Sequence, residues 1–308
     1  MRIKITFAVY NNGRVDFNYQ HQIQSIIYKF LASSNPDYAA WLHEEGYIYR
    51  RDQRFKFFVY SGIIFHGPIL IKSSSSLNRS NSSSRLNGLN QFNERDSLPG
   101  FCFHASSVSP FTFSFQIASP VNKFLQHLID GIFKEGQEIS LGQQRVIVYR
   151  VESLTDPLER TSLNHSSSSI GLNGLSLCPL ESPIFVKKPM PLDQKDKYLF
   201  PGDEEYEELL NQNLQHKYET LYGTPYEGER LKFDFNQLER IEQSKQLKPK
   251  LIKSFKVYKD GKVADEIKGT LQPFTVSGSK ELIKIGMECG FGQNNSMGCG
   301  YVEAVQAV

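Results

Sequence analysis

The order in which the hydrophobic period changes along the first 155 residues restricts this chain more than any other feature. Ile3, Ile5, Phe7 and Val9 alternate with polar or small residues, the period of a half-buried strand. Ile23, Ile26, Ile27, Phe30 and Leu31 then recur at the spacing of a helix with one apolar face. Asn35 and Pro36 restart the chain as a short second helix running through His43, since Asn caps well and Pro suits the first helical position. Phe55 to Ile64 is aromatic and β-forming and reads as a strand. Phe111, Phe113, Phe115 and Ile117 give another strand, Ser119 and Pro120 open a helix with a Val121, Phe124, Leu125, Leu128 and Ile129 stripe, and Arg145 to Val151 closes as a strand. The succession β, α, β, β, α, β is that of the ferredoxin-like unit, two helices over one face of a four-stranded antiparallel sheet.

The rest of the chain reads as a more elaborate second copy. It has a strand at 183–186, a helix over 203–222, strands within 229–241, 248–259 and 266–276, a helix at 279–289 and a last strand at 299–306. The expected fold is therefore α+β, two tandem ferredoxin-like domains with Ser-rich loop insertions. The domains are 1–155, with an insertion at about 73–97, and 181–308, joined by a Ser-rich linker over 156–180. The two Ser-rich tracts are related: SLNRSNSSSRLNGL (76–89) overlays SLNHSSSSIGLNGL (162–175) with 10 identities in 14. Such tracts bury too little apolar surface to offset ordering entropy, so both are expected outside the sheets.

Composition removes several classes. Four Cys far apart, without a C-x-x-C pair, argue against a zinc knuckle or a disulfide framework and fit reduced thiols in a cytoplasmic protein. No apolar run approaches the roughly 20 residues a membrane span needs, so no membrane association is expected. Net charge is only +2, but it is unevenly spread, with acids at 203–208 against lysines at 245–259.

Gly290-Phe291-Gly292-Gln293-Asn294-Asn295-Ser296-Met297-Gly298-Cys299-Gly300 lies between the predicted last helix and strand. Four glycines permit positive φ and close backbone approach, so successive amides can turn toward a phosphate chain; a tight surface turn is the plainer reading. It is no nucleotide-binding fingerprint, because no Lys-Ser or Lys-Thr follows the last Gly and the loop follows a helix.

The run KELIKIGMECGFGQNNSMGCGYVEAV (280–305) resembles the C-terminal signature of the CRISPR-associated endoribonucleases that cut repeat RNA into guide RNAs, within the repeat-associated mysterious protein superfamily. SIIYKFLASSNPDYAAWLHEEGY (25–47), followed by FKFFVYS (55–61), is similar to the other end of the same family. The resemblance implies tandem ferredoxin-like domains and metal-independent cleavage of CRISPR repeat RNA, with no cofactor. Attack by a 2′-OH, which leaves a 2′,3′-cyclic phosphate and a 5′-OH, needs a base, an acid and a cation. His suits proton transfer, with an ordinary pKa of about 6.5; Tyr, at about 10, needs a cationic neighbour to do more than orient. The family pattern of a Tyr on the first helix, a His at the end of the second and a Lys beyond falls on Tyr28, His43 and Lys56.

Each has a plainer alternative. His43 could only satisfy helix-end carbonyls, Tyr28 could be core, and Arg50, Arg51 or Arg54 could supply the charge instead of Lys56. No metal site is expected: His43-Glu44 is followed by Tyr47 where a zinc protease has a second His, and Glu44 and Glu45 diverge on a helix. Expected RNA contacts are Gly290, Gly292, Asn294, Asn295, Ser296, Gly298 and Gly300 in the loop, with Lys187, Lys250 and Lys253 on the second half tracking the backbone. The alternative is a non-catalytic RNA-binding relative serving as a subunit of a CRISPR effector complex. Exposed sheet edges leave a homodimer open.

Overall fold

A computed structural model describes residues 1–50, 53–72, 100–106, 108–135, 138–160, 169–190, 196–236, 251–259 and 262–305. It is a mixed α/β structure with several antiparallel sheets. Arg2–Val9 is central in the largest, flanked antiparallel by Gln144–Leu154 and Phe111–Ala118. Glu138–Leu141 adds one edge, and Val59–Tyr60 and Ile64–Phe65 both pair with Phe111–Ala118 on the other. Taking Arg2–Val9, Val59–Tyr60, Phe111–Ala118 and Gln144–Leu154 alone, the order by chain position is fourth, first, third, second. Of helices α1 (Gln20–Ser34), α2 (Pro36–Glu44) and α3 (Asn122–Glu135), the first and third carry the expected stripes: Ile23, Ile27 and Phe30 join Phe124, Leu125 and Leu128 in one core with Ile3, Ile5 and Phe7. Helices α1 and α3 touch at Gly131, where a Cβ would overlap the Phe30 carbonyl.

The first strand departs from the half-buried expectation. Arg2, Thr6 and Ala8, on its other face, are buried as well. The Arg2 guanidinium donates to the Met287 carbonyl (2.9 Å) and the Tyr301 hydroxyl (3.2 Å), so the C-terminal half covers that face. The strand expected over Phe55 to Ile64 is broken into Gln53–Phe55, paired with Tyr47–Tyr49, and the two short edge pieces. The break falls at Phe57, whose φ of 50° is a costly value for a bulky side chain and cannot continue a pleat.

A second sheet, of four strands, corrects the linker expectation. Its first strand is Ser169–Pro179, inside the 156–180 segment, between Phe274–Ser279 and Val302–Ala304, with Lys232–Asp234 at the edge. Leu175 and Leu177 alternate into its core, a period two hidden by the Ser and Gly around it. Residues 161–168 and the tract at 73–97 lie outside the described residues. Counted from Ser169–Pro179, the order is again fourth, first, third, second. The segment at 183–186 is not that first strand: Val186–Lys188 pairs with Lys197–Leu199 in a separate hairpin, as Ile252–Lys259 does with Lys262–Thr270. A helical turn, α4 (Pro157–Arg160), precedes the sheet, and α5 (Tyr206–Tyr222) and α6 (Lys280–Cys289) pack together beside it.

Candidate functional site

Helix α2 starts where Asn35 Oδ1 accepts the Tyr38 amide at 2.9 Å, with Pro36 in the first turn. Nine residues later it ends with His43 exposed in its last turn. Its terminal carbonyls are met by two cations: Lys56 Nζ donates to the Leu42 carbonyl and to that of His43 (2.6 Å), and Arg54 to that of Glu44 (3.0 Å). These groups complement the negative end of the helix and fix the backbone that carries the imidazole. Burial lowers the Lys56 pKa, and Arg54 beside it acts in the same direction. The strained Phe57 follows directly, so the turn that breaks the expected strand is also the one that delivers Lys56.

Tyr28, on α1, meets the His43 ring edge-on at 5.0 Å and 83°, backed by Phe58 at 6.0 Å. Burial raises its pKa, so the phenol stays protonated at neutral pH and offers orientation or a proton rather than a base. The three expected residues therefore share one locus. Of the other cations, Arg50 lies over the Tyr49 ring (4.9 Å) and Arg51 lies outside the described residues.

The glycine-rich loop differs from the expected amide cradle. Gly290, Gly292, Gly298 and Gly300 are all buried. The amides of Gly298 and Gly300 are spent on the Asn295 and Pro183 carbonyls, and that of Gln293 on Phe185. At Gly292 (φ 74°) a Cβ would overlap the Phe185 carbonyl oxygen. The glycines thus shape the loop, while Asn294 is its exposed residue, with Asn295 and Ser296 half-buried. Asn295 Nδ2 is already used, donating to the Cys299 carbonyl (2.9 Å).

The loop is anchored from below by a residue that the sequence reading passes over. Lys217 of α5 is 1% exposed, and its Nζ donates to the carbonyls of Gly290 (2.7 Å) and Gly292 (2.8 Å). Burial lowers its pKa to about 7. The signal was present: Tyr206, Leu210, Leu214, Lys217 and Leu221 form one helical stripe, and a lysine in an apolar stripe demands a partner.

Lys56 and the loop face a common cleft of about 620 Å³, which is also lined by Arg54, Lys187, Asn213 and His216. His216, also missed, stacks on Tyr49 (4.3 Å) and hydrogen-bonds Gln53 (3.0 Å), and burial lowers its pKa. Among the expected lysines, Lys187 lies at this cleft in an ion pair with Asp196 (2.8 Å), whose hydrogen bond raises its pKa. Lys253 is no free backbone-tracking cation. It is largely buried, pairs with Glu181 (2.9 Å) and donates to Tyr19 (3.2 Å); burial opposes its charge, yet those partners hold its pKa up. Lys250 lies outside the described residues. Among those described, no helix is long and apolar enough to cross a membrane.

Comparison with known proteins bears on both ends of the chain. Residues 14–83 match the family model "CRISPR-associated protein Cas6, N-terminal", and residues 174–304 match "CRISPR associated protein Cas6, C-terminal". The second match begins within the strand Ser169–Pro179. The chain is 24% identical to the CRISPR-associated endoribonuclease Cas6 1 of Methanocaldococcus jannaschii, over 99% of this chain and 93% of that protein. It is 23% identical to the CRISPR-associated endoribonuclease Cas6 of Pyrococcus furiosus, over 94% and 83%. Among solved structures, one described as CRISPR associated protein Cas6 superposes with a TM-score of 0.65 at 24% identity, covering 99% of both chains. Another, described as a RAMP protein binding different RNA substrates, gives 0.64 at 18%, over 99% of this chain and all of that one. With one family's models matching both ends in the right order, the chain belongs to the Cas6 family of CRISPR-associated proteins.

Proposed function

We propose that the protein is an endoribonuclease that cuts CRISPR repeat RNA into guide RNAs by metal-independent transesterification. Supporting this are its relatives named as endoribonucleases and, above all, one observation: the Tyr28 and His43 rings meet at 5.0 Å, and His43's own carbonyl is held by Lys56, which itself lines the cleft that the glycine-rich loop borders. The 2′-oxygen forms the new bond to phosphorus as the bond to the 5′-oxygen breaks. His43 takes the 2′ proton, water protonates the leaving 5′-oxygen, the imidazolium returns its proton to solvent, and the products are a 2′,3′-cyclic phosphate and a 5′-OH. Tyr28 orients the imidazole. Lys56 supplies positive charge near the developing phosphorane while bracing the helix end. Asn294 and Ser296 contact the RNA backbone from the loop, and Lys187 adds charge at the cleft. In this reading the chain is two ferredoxin-like domains, with Ser169–Pro179 as the first strand of the second.

The test is cleavage of repeat RNA in excess chelator by the wild type and by His43→Ala. Wild-type cleavage should persist. The variant should lose roughly 10²- to 10⁴-fold in single-turnover rate, the usual contribution of a positioned proton-transfer group, while binding RNA within a few-fold of wild type. Loss of wild-type cleavage on chelation would contradict the mechanism, and binding without cleavage by the wild type would make the protein a non-catalytic RNA binder.

A further inference from the structure

The face of α5 toward the cleft carries Leu209, Gln212, Asn213, His216 and Lys217, the i, i+3, i+4, i+7, i+8 spacing of a buried stripe, yet four of its five residues are polar. Three have partners. Gln212 donates to Glu208 (2.8 Å), His216 bonds Gln53, and Lys217 holds the loop carbonyls. Asn213 does not: it is 7% exposed, and its Oδ1 is sealed from solvent with no hydrogen bond. A carboxamide withdrawn from water without compensation costs stability. Such groups are rare in native proteins, and at the wall of a cleft a bound ligand is the partner that completes one.

We infer that Asn213 reads an unpaired nucleobase of the RNA, inserted into the cleft between α5, Lys56 and the Asn294–Met297 turn; this rests on the proposed RNA-cutting function. A turn about χ2 brings Oδ1 to the cleft, where the amide offers a donor and an acceptor side by side, the complement of a base edge that presents an N–H beside a ring nitrogen or carbonyl oxygen. The base must be unpaired, because pairing consumes that edge. The cleft's volume is that of a small-ligand site, and Lys56 lines its wall. Asn213 is thereby a specificity residue, distinct from the groups that move protons.

The experiment uses the full chain, Asn213→Leu, and a repeat RNA made uncleavable by a 2′-deoxy substitution at the cut. The variant should unfold in urea at a midpoint equal to or above wild type, because an unpaired amide has been replaced by an apolar group of similar size. It should bind the RNA roughly tenfold or more weakly, the discrimination of a two-point amide–base contact. A series of RNAs with one abasic site at each single-stranded position should contain one on which wild type and variant bind alike. Equal affinity of variant and wild type for intact RNA overturns the assignment while leaving the cleavage function standing, as does a penalty that disappears with a 2′-deoxy sugar but with no abasic site. A variant that unfolds at lower urea shows the amide to be structural and also overturns it. If wild type fails to bind or cut repeat RNA at all, the function itself falls, and the base-reading role with it.

Discussion

Lys217 makes a quantitative demand on the pH dependence of stability. In the folded protein its pKa is lowered to about 7 from an ordinary 10.5 because the ammonium is fully buried with only two carbonyls for company. Between those two values the unfolded chain binds a proton that the folded chain does not, so stability rises with pH across that window and the cost of burial is fully felt below pH 7. Integrating the difference in bound protons from pH 6 to 8.5, at about 1.36 kcal/mol per unit, gives a gain of about 2 kcal/mol. Cys289, the nearest titrating neighbour, is pushed up to about 12 by burial and stays protonated throughout. The measurement is urea unfolding of wild type and Lys217→Met at pH 6, 7, 7.75 and 8.5. Wild type should gain about 2 kcal/mol relative to the variant over that range, with the steepest divergence above pH 7. Parallel pH dependences in the two proteins would show that Lys217 titrates normally, and would refute both the burial argument and the picture of the loop held by a nearly neutral amine.

Two further substitutions test the structure around the site. Leu177→Ala should cost about 2 to 5 kcal/mol by denaturant unfolding, because the side chain is fully buried in the second core; a cost under 1 kcal/mol would return Ser169–Pro179 to the status of a surface insertion. Gly292→Val places a branched side chain at φ 74° against the Phe185 carbonyl and should weaken RNA binding by filter assay while leaving secondary structure unchanged by circular dichroism. Unaltered affinity would separate the loop from the RNA site.

Where the sequence was legible, the information was local. The strand at 2–9, the stripes of α1 and α3, the Asn35 cap and α6 all follow from spacings within one element, and the structure has them. Tyr28 and His43 lie 15 positions apart on consecutive helices, close enough for a family pattern to carry them. Other features were misread because local signals were overridden. In the strand at 169–179, Ser and Gly masked a Leu175 and Leu177 alternation that pairs with residues about a hundred positions later. The strand at 55–64 has every β-forming residue it needs, yet Phe57 breaks it.

The side chains that sequence could not place are the ones whose partners lie far along the chain. Arg2 bonds Met287, 285 positions on; Lys253 bonds Tyr19, 234 positions back; Lys217 bonds Gly290, 73 positions on. A composition reading takes each as solvated surface charge or an RNA contact, because burying a lysine or arginine is costly unless several partners are assembled at once. Here those partners are assembled, and each of the three ties together segments that frame the loop or the cleft. With a net charge of only +2, the grouping of cations matters, and Lys56, Arg54 and Lys187 line one cleft. A binding surface of that kind relies on position more than on total charge, and its affinity should fall with salt as for a few phosphate contacts rather than many.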